Sequence, residues 1–207
     1  MKVLLVNGSP NKNGCIFTGL EEIAKTLNNE GIATEIFHIG QEAIGGCIGC
    51  GACRIHYGCH MFEDVVNEFL DKVKGADGFV FGSPVHYAGM SGAMKSFMDR
   101  LFFAGTPFFR GKPGAIIASC RRGGASATLD GMMKYLSFAE MPVVSGRYWN
   151  MIHGKTREDV LQDLEGLQNL RFVGKNMAWL LYSIEAGKKI GIELPPIEEK
   201  IATSFIR

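Results

Sequence analysis

Apolar positions along the chain follow two different periods, and these periods predict where strands and helices lie. Short apolar runs bounded by Gly, Ser or Pro predict buried strands over residues 3–7, 32–39, 78–81 and 114–119, with a fifth strand beginning at 142–144. Apolar side chains three or four positions apart predict helices over 15–29, 61–74, 91–103 and 126–138, and a longer helical region over 157–187. The last twenty residues, about 188–207, show neither period and predict an irregular tail.

Strands and helices alternate along the whole chain, which is typical of an α/β protein with a parallel sheet. Five strands fit a doubly wound five-stranded parallel sheet of order 2-1-3-4-5, covered by helices on both faces as a three-layer α/β/α architecture. In such sheets ligands bind beyond the carboxyl ends of the strands, and three glycine-rich loops of this chain follow predicted strands. The sequence contains no repeat, linker or low-complexity segment, which predicts a single domain over residues 1–207.

The charge balance excludes several classes of function. The 207 residues include 22 basic and 21 acidic side chains, so the formal net charge is +1. A neutral chain lacks the basic footprint of a nucleic-acid-binding protein and the acidic surface of a carrier that docks on basic partners. No apolar run approaches the ~18 residues of a membrane span, and residues 3–6 are too short for a signal-peptide core. We therefore expect a cytoplasmic protein that binds neither nucleic acid nor membranes.

Four of the six cysteines lie close together, with the spacing Cys47-x2-Cys50-x2-Cys53-x5-Cys59. In a reducing compartment such clustering favours metal or redox chemistry over structural disulfides. Thiolates at short spacing can converge on one centre, so an iron–sulfur cluster such as [4Fe-4S] and a zinc ion are both compatible with the segment. The third interpretation is a thiol-rich loop without metal, whose cysteines pack as small apolar side chains.

Three loops after predicted strands carry residues suited to a flat, phosphorylated ligand. The loop over 8–18 opens a helix whose first N–H groups can bind phosphate, although an ordinary tight turn has the same character. The loop over 82–90 combines glycines, a proline and an aromatic pair, which can surround a planar ring or only cover the surface. The loop over 119–125 offers glycine N–H groups and two arginines, which can neutralise a ring or a phosphate, or stay solvated.

Two further segments favour structural roles. Lys95 and Asp99 are four residues apart on a predicted helix, and this spacing predicts a surface ion pair. Residues 148–154 are dense in aromatic and polar side chains, and they favour packing over binding. Within them, His153 is the side chain best suited to a substrate pocket or an interface.

Several segments, spread in order over nearly the whole chain, together resemble one protein family. They are Gly8-Ser9-Pro10 with Gly14-Cys15, the Cys-x2-Cys-x2-Cys segment, Gly82-Ser83-Pro84-Val85-His86-Tyr87, Lys95 with Asp99-Arg100, and residues 121–124, 141–144 and 148–154. This set resembles the flavodoxin-like NAD(P)H-dependent FMN reductases. The cysteine segment is similar to the compact cysteine motif of iron–sulfur flavoproteins.

The resemblance implies a flavodoxin-like fold, noncovalently bound FMN, and a homodimer or a dimer of dimers. In the family the first loop holds the FMN phosphate, and the two later loops surround the ring. Carried over by position, the cofactor-binding residues are Ser9, Asn11, Gly14, Cys15, Ile16 and Thr18, then Pro84, Val85, His86 and Tyr87, then Ser119, Arg121, Arg122, Gly123 and Gly124. Many relatives have Asn-Thr in place of Cys15-Ile16, so one hydroxyl donor is missing and Thr18 is the expected substitute.

The implied activity is hydride transfer from NAD(P)H to flavin N5, followed by electron transfer to a flavin, a quinone or another small acceptor. That step needs no protein acid or base, so no catalytic residue is assigned. One alternative is an iron–sulfur flavoprotein that carries electrons between protein partners, with Cys47, Cys50, Cys53 and Cys59 as cluster ligands. Another is a thiol-based redox or metal sensor. Turnover with NAD(P)H favours the enzyme, reduction by a ferredoxin alone favours the carrier, and little bound flavin favours the sensor.

Overall fold

Five parallel strands form the sheet at the centre of the computed structural model, which describes residues 1–199 and 201–203. The strands, in chain order, are β1 (Lys2–Asn7), β2 (Ala33–His38), β3 (Gly78–His86), β4 (Gly89–Met90), β5 (Gly114–Cys120) and β6 (Met151–His153). The parallel strands lie in the order β2-β1-β3-β5-β6, and β4 is a two-residue antiparallel partner of β3. The parallel part of the sheet confirms the predicted 2-1-3-4-5 order, and the hairpin strand β4 is an addition to it.

Helices cover both faces of the sheet. They are α1 (Cys15–Asn29), α2 (Val65–Val73), α3 (Gly92–Gly105), α4 (Ala125–Phe138), α5 (Arg157–Gln162) and α6 (Leu164–Lys189), with 3-10 turns at Ala52–Arg54 and Thr106–Phe108. One apolar core lies between the sheet and α2, α3 and α4. The other lies between the sheet and α1, α5 and α6. The expected three-layer α/β/α architecture is therefore confirmed.

The burial of β1 explains why its sequence is apolar without interruption. Leu4 and Val6 enter the core formed with α2, α3 and α4, whereas Val3 and Leu5 enter the opposite core. All four side chains are fully buried. Successive side chains of a strand point to opposite faces, so a strand with helices on both sides needs apolar residues at every position.

Polar caps set two helix boundaries that the apolar spacing does not predict. Helix α2 begins at Val65 instead of residue 61, because the Asp64 carboxylate accepts a hydrogen bond from the Val66 N–H (3.1 Å) and caps the helix. The helical region over 157–187 is divided at Asp163, which caps α6 by accepting from the Gly166 N–H (2.9 Å). The first of these caps also marks the end of the chain segment that carries the clustered cysteines.

The last parallel strand lies later in the chain than the sequence predicts. Val143 makes one isolated bridge to the start of β5, and the strand that pairs with β5 is β6. Asn150 anchors this pairing, because its side chain donates a hydrogen bond to the Ile116 carbonyl of β5 (3.1 Å). The prediction of a fifth strand beginning at 142–144 was therefore wrong in position, although the strand that replaces it occupies the expected place in the sheet.

A buried carboxamide on α6 holds the loop that leads into β6. Asn169 accepts hydrogen bonds at Oδ1 from the backbone N–H groups of Arg147 (2.7 Å) and Tyr148 (2.9 Å). Its Nδ2 donates to the carbonyls of Tyr148 and Trp149, both at 3.2 Å. One side chain therefore satisfies four backbone groups of an otherwise irregular loop, and the loop delivers the chain to the edge of the sheet.

Strand β3 continues to His86, beyond the predicted end at residue 81, because it forms a hairpin with β4. The two turn residues, Tyr87 and Ala88, both have positive φ angles, 49° and 58°. This is the conformation of a type I′ turn, which matches the twist of paired strands but is strained for residues other than glycine.

An ion cluster joins β1, β2 and α2 at the surface. The Glu35 carboxylate accepts from the ammonium groups of Lys2 (2.6 Å) and Lys72 (2.9 Å). These two hydrogen bonds hold the pKa of Glu35 below its ordinary value of 4.5.

The irregular tail begins at Ile190, because α6 extends to Lys189. Residues 190–199 and 201–203 form no helix or strand, and the rest of the predicted tail, residue 200 and residues 204–207, lies outside the described residues. The tail contacts the body of the protein through the Pro195 carbonyl, which accepts from Arg110 (2.7 Å). Among the helices in the described ranges, none combines the length and the hydrophobicity needed to cross a membrane.

Candidate functional site

The loops that follow β1, β3 and β5 meet at the carboxyl edge of the sheet. The register pairs Asn7 with Gly82, and Pro84 with Ser119, so the three strands end side by side. The Gly8 N–H donates to the Gly82 carbonyl (2.8 Å), which ties the first loop to the second. All three loops predicted to bind a flat, phosphorylated ligand are therefore neighbours in space.

Asn7, at the end of β1, shapes the first loop although the sequence gives no sign of this role. Its side chain is buried, accepts from the Ser9 N–H (3.1 Å), and donates to the Lys12 carbonyl (3.0 Å). The Ser9 hydroxyl in turn accepts from the Asn11 N–H (3.1 Å), so its own proton is free to be donated. These bonds curl the loop back towards the start of α1.

The start of α1 presents backbone donors to this loop. Gly14 is the N-cap and supplies no side-chain cap, and the N–H groups of Cys15, Ile16 and Phe17 precede the first turn's carbonyl acceptors. The Ile16 side chain is buried in the core, so only its backbone faces the loop. The Thr18 hydroxyl donates to the Gly14 carbonyl one turn earlier (3.1 Å), and the role in the loop that the resemblance implies for it stays a prediction.

The Cys15 thiol lies between the first loop, the end of β5 and the chain after β6. It donates to the carbonyls of Thr156 (3.4 Å) and Gly154 (3.7 Å), and Ser119 is a neighbour on the side of β5. Burial raises the pKa of the Cys15 thiol, which keeps it neutral. A neutral thiol beside the first helical N–H groups leaves them available to an anion.

The second loop is the strained hairpin. Pro84 and Val85 are half-buried, His86 is exposed, and the Tyr87 side chain is fully exposed. Gly124 of the third loop packs against this hairpin: a Cβ atom at Gly124 would lie 2.6 Å from Cα of Ala88. Gly124 has a φ of 91°, so glycine is required there both by the backbone and by the space.

The third loop brings positive charge and free backbone to the same edge. Ser119 is buried, whereas Arg121, Arg122 and Gly123 are exposed. A Cβ atom at Gly123 would meet no atom within 4 Å among the residues described, so this position is open. Cys120, which precedes this loop at the end of β5, is buried, and burial raises the pKa of its thiol.

The four clustered cysteines line one cavity of about 20 Å³, which we call the cysteine cavity. Cys47 and Cys50 are exposed, and Cys53 and Cys59 are half-buried. The remaining wall is Ile48, Gly51, His60, Met61, Phe62, Arg100, Phe103 and Ala104. Burial raises the pKa of Cys53, and the neighbouring cysteine thiols add to this shift.

The donor set of the cysteine cavity fits an iron–sulfur cluster, since four cysteine thiols are the ligands such clusters use. Within residues 1–199 and 201–203, no three His, Cys, Asp or Glu side chains are placed closely enough to hold a metal ion. The sequence prediction that the four cysteines lie together is thus supported by their shared cavity, and their role as ligands stays a prediction.

Arg100, on the wall of this cavity, is a buried cation whose partners the local sequence pattern does not reveal. Its guanidinium pairs with both oxygens of Asp64, at 2.5 and 2.9 Å, and its Nε donates to Cys59 Sγ (3.2 Å). Asp64 and Cys59 lie 36 and 41 residues away in the chain, so no local spacing reveals them.

Lys95 and Asp99 form the ion pair that their spacing predicts, at 2.6 Å. The Tyr135 hydroxyl of α4 joins them: it accepts from Lys95 (2.7 Å) and donates to Asp99. Burial raises the pKa of Tyr135, and the hydrogen bond to Asp99 raises it further. The trio lies beside a groove between the cysteine segment, α3 and α4, whose exposed rings are Phe103 and Phe138.

His153 is exposed at the end of β6, where its ring lies 3.6 Å from the Asp163 carboxylate. Tyr148 and Trp149, in the loop before β6, are exposed and pack edge to face. A shallow pocket is lined by these aromatic side chains together with His153, Asp163 and Asn169. The bonds of Asn169 to the loop backbone support the structural role that the sequence favoured for this segment.

Comparison with known proteins identifies the family. The family model described as NADPH-dependent FMN reductase matches residues 1–156. An iron–sulfur flavoprotein of Methanocaldococcus jannaschii is 33% identical over 186 residues, which cover 86% of this chain and 96% of that protein. One from Archaeoglobus fulgidus is 32% identical over 191 residues, covering 87% and 97%. The solved structure of an archaeal flavodoxin matches with a TM-score of 0.59 at 16% identity, over 88% of this chain and 99% of that one.

The match with the flavodoxin shows the fold, and the family model and the two relatives show the family. The names of the relatives also agree with the branch that the cysteine segment resembles. This chain belongs to the NADPH-dependent FMN reductase family, and it has a flavodoxin-like fold.

Proposed function

We propose that this chain is an FMN-dependent oxidoreductase that oxidises a reduced nicotinamide and passes the electrons to a small acceptor. The observation that carries the proposal is the side-by-side placement of the loops after β1, β3 and β5, with Gly124 packed on the hairpin. Membership of the family supports FMN as the ligand of these loops. When bound, FMN supplies hydride acceptance at N5 and electron transfer to a second substrate.

The first loop is suited to the phosphate of FMN. The N–H groups of Cys15, Ile16 and Phe17 lie at the positive end of the α1 dipole, which favours an anion. The Ser9 hydroxyl adds a donor, because it uses its acceptor site on Asn11 and keeps its proton. Backbone N–H groups therefore supply most of the hydrogen-bond donors for the phosphate. The site keeps these donors although the Thr18 hydroxyl is bonded within α1.

The second and third loops are suited to the ring. The exposed Tyr87 side chain can stack on a planar ligand, and its turn is held in place by Gly124. The open backbone at Gly123 can approach the ring edge closely. Arg121 and Arg122 place positive charge beside the ring, where it stabilises the negative charge that reduction adds.

Two measurements on the purified chain test this proposal. Titration of the flavin-free protein with FMN, followed by flavin fluorescence, is expected to give saturable binding of one FMN per chain. Oxidation of NADH and of NADPH is then followed at the nicotinamide absorption band, with and without an artificial acceptor. If FMN binds but neither NADH nor NADPH is oxidised, the proposed hydride transfer from a nicotinamide is wrong. If FMN does not bind, the proposed flavin site is wrong.

A second function, electron transfer between protein partners through an iron–sulfur cluster, is favoured by the cysteine cavity. All four cysteine side chains border it, and the curated relatives are named iron–sulfur flavoproteins. We propose Cys47, Cys50, Cys53 and Cys59 as the ligands of that cluster, which when bound supplies one-electron transfer.

Iron, inorganic sulfide, zinc and flavin counted on one oxygen-free preparation distinguish the alternatives at the cysteine cavity. A cluster requires iron and sulfide in equal amounts, and it requires that Cys50→Ser loses both. Cys120→Ser is the matched control, because Cys120 lies at the end of β5, outside the wall of the cavity. Zinc without sulfide would indicate a zinc site. If the preparation contains neither iron nor zinc, the segment is a thiol-rich loop without metal.

The state of association and the compartment are also proposals. We propose that two copies of the chain associate, supported by the exposed rings of Phe103 on α3 and Phe138 on α4. Sedimentation equilibrium tests this, and a monomer at micromolar concentration would contradict it. The six free cysteines support a reducing compartment such as the cytoplasm.

A further inference from the structure

Every donor of the Arg100 guanidinium has an acceptor. The side chain is completely buried, and a guanidinium carries five N–H groups. Nε donates to Cys59 Sγ (3.2 Å), and Nη1 donates to Asp64 (2.5 Å) and to the Gly45 carbonyl (3.4 Å). Nη2 donates to Asp64 (2.9 Å) and to the Phe62 carbonyl (3.4 Å). A buried cation is tolerated only when it is paired in this way.

These acceptors lie on both sides of the clustered cysteines. Gly45 precedes Cys47, whereas Phe62 and Asp64 follow Cys59, so one side chain of α3 joins the two ends of the segment. The Phe62 ring also lies over the guanidinium, with its centre 4.7 Å from Cζ. Because α3 is packed in the core, Arg100 gives the cysteine segment a fixed support that its own irregular backbone lacks.

We propose that Arg100 is the positioning residue of the cysteine cavity, and that its hydrogen bond to Cys59 raises the reduction potential of the group that the cysteines hold. The effect of Arg100 on the reduction potential rests on the proposed cluster. Reduction adds one electron, and therefore one negative charge, to a group bound through sulfur. A hydrogen bond and a buried cation at one of those sulfurs stabilise the more negative state.

Two substitutions test the proposal because they shift the potential in opposite directions. Arg100→Lys keeps a positive charge but cannot reach Asp64 and Cys59 together, so the potential is expected to fall. Asp64→Asn keeps the helix cap but removes the negative charge that balances Arg100, so the potential is expected to rise. We expect at least a tenfold change in the reduction equilibrium in each direction, about 59 mV for a one-electron couple.

Arg54→Lys is the matched control. Arg54 belongs to the same segment and is exposed, with its guanidinium over the Phe103 ring. This substitution makes the same chemical change without touching Cys59, and it is expected to leave the potential unchanged. If Arg100→Lys fails to fold, Asp64→Asn still decides: an unchanged or lowered potential in that variant overturns the proposal. A purely structural role would shift both variants in the same direction.

The placement of Cys59 has a readout that needs no cluster. In metal-free protein, the rate at which a small alkylating reagent modifies Cys59 is measured by peptide mass spectrometry. We expect Arg100→Lys to raise that rate at least tenfold relative to wild type, with Cys120 as the internal reference. An unchanged rate overturns the positioning role. If wild-type protein assembles no cluster, the cluster proposal fails alone, and this measurement still decides the role of Arg100.

Discussion

Gly124→Ala is expected to damage the flavin site through the hairpin, although Gly124 offers no side chain to a ligand. The new Cβ would lie 2.6 Å from Cα of Ala88 and 2.8 Å from Cγ1 of Val85. The nearer atom is backbone, so rotation of a side chain cannot relieve the contact. The φ angle of 91° adds a second cost, because alanine disfavours the left-handed region.

The two costs can be added. A left-handed conformation costs a residue with a Cβ about 1–2 kcal/mol, and overpacking costs about 1–3 kcal/mol, so the total is about 2–5 kcal/mol. If the hairpin keeps its place, this cost appears as lost stability of the flavin-free protein. If the hairpin moves away, it appears as weaker FMN binding, at about 1.4 kcal/mol per tenfold change in Kd. The sum of the two effects is the quantity to compare with the structure.

The assay therefore combines urea unfolding of flavin-free protein with FMN titration by fluorescence. Gly123→Ala is the matched control, since position 123 has open space and no positive φ. We expect Gly123→Ala to retain wild-type stability, and its loss of FMN affinity to be smaller than that of Gly124→Ala. If Gly124→Ala matches wild type in both measurements, the contact between the third loop and the hairpin is not part of the folded protein, and the reasoning is refuted.

Tyr87→Ala is expected to weaken FMN binding at least tenfold, with little change in the unfolding of flavin-free protein, because the ring is fully exposed. Tyr87→Phe should bind FMN as the wild type does. Equal FMN affinity in all three proteins would show that the Tyr87 ring does not contact the flavin. Asn169→Ala is expected to lower the free energy of unfolding by about 2–4 kcal/mol, because several backbone groups lose their hydrogen-bond partner. Asn176 is exposed, so Asn176→Ala should lower it by less than about 0.5 kcal/mol. Similar urea midpoints for the two variants would contradict this. Glu35→Gln should destabilise the protein at neutral pH, and its difference from wild type should begin to shrink as the pH falls below about 4.5 and vanish once the pH is below the lowered pKa of the folded protein. The pKa of Glu35 is lower in the folded protein than in the unfolded chain, so its stabilisation is present above the unfolded pKa and is lost as the pH falls through the folded pKa. A difference in stability between Glu35→Gln and wild type that stays constant across this pH range would argue against the ion cluster.

Local sequence pattern was sufficient where a boundary depends on neighbours in the chain. The prediction of a helix over 15–29 matches α1 at both ends, because glycines at 14 and 31 interrupt the apolar period. The alternation of short apolar runs and helices through β5 also predicted a parallel sheet, and the observed order of the parallel strands is the doubly wound order that five such strands fit.

Boundaries and roles set by distant partners could not be predicted. The β-branched pair Val143-Val144 resembles a strand, but the position of β6 depends on Asn169, which binds the preceding loop from 20–22 residues away. Arg100 behaves in the same way: the i, i+4 spacing reveals Lys95 and Asp99, whereas the partners of Arg100 come from another part of the chain. The three loops were identified because their glycines and their position after strands are local signals.

The short last strand has a consequence for how copies of this protein can meet. β6 forms one edge of the sheet, and an exposed edge is a template for edge-to-edge aggregation. Here the chain occupies that edge itself: the Met151 N–H donates to the Trp149 carbonyl (2.8 Å), and the His153 N–H donates to the Asp163 carboxylate (2.7 Å). A foreign strand would have to displace both bonds to add to the sheet. At this edge, growth of the sheet from one molecule into the next is blocked by the protein's own loop and carboxylate.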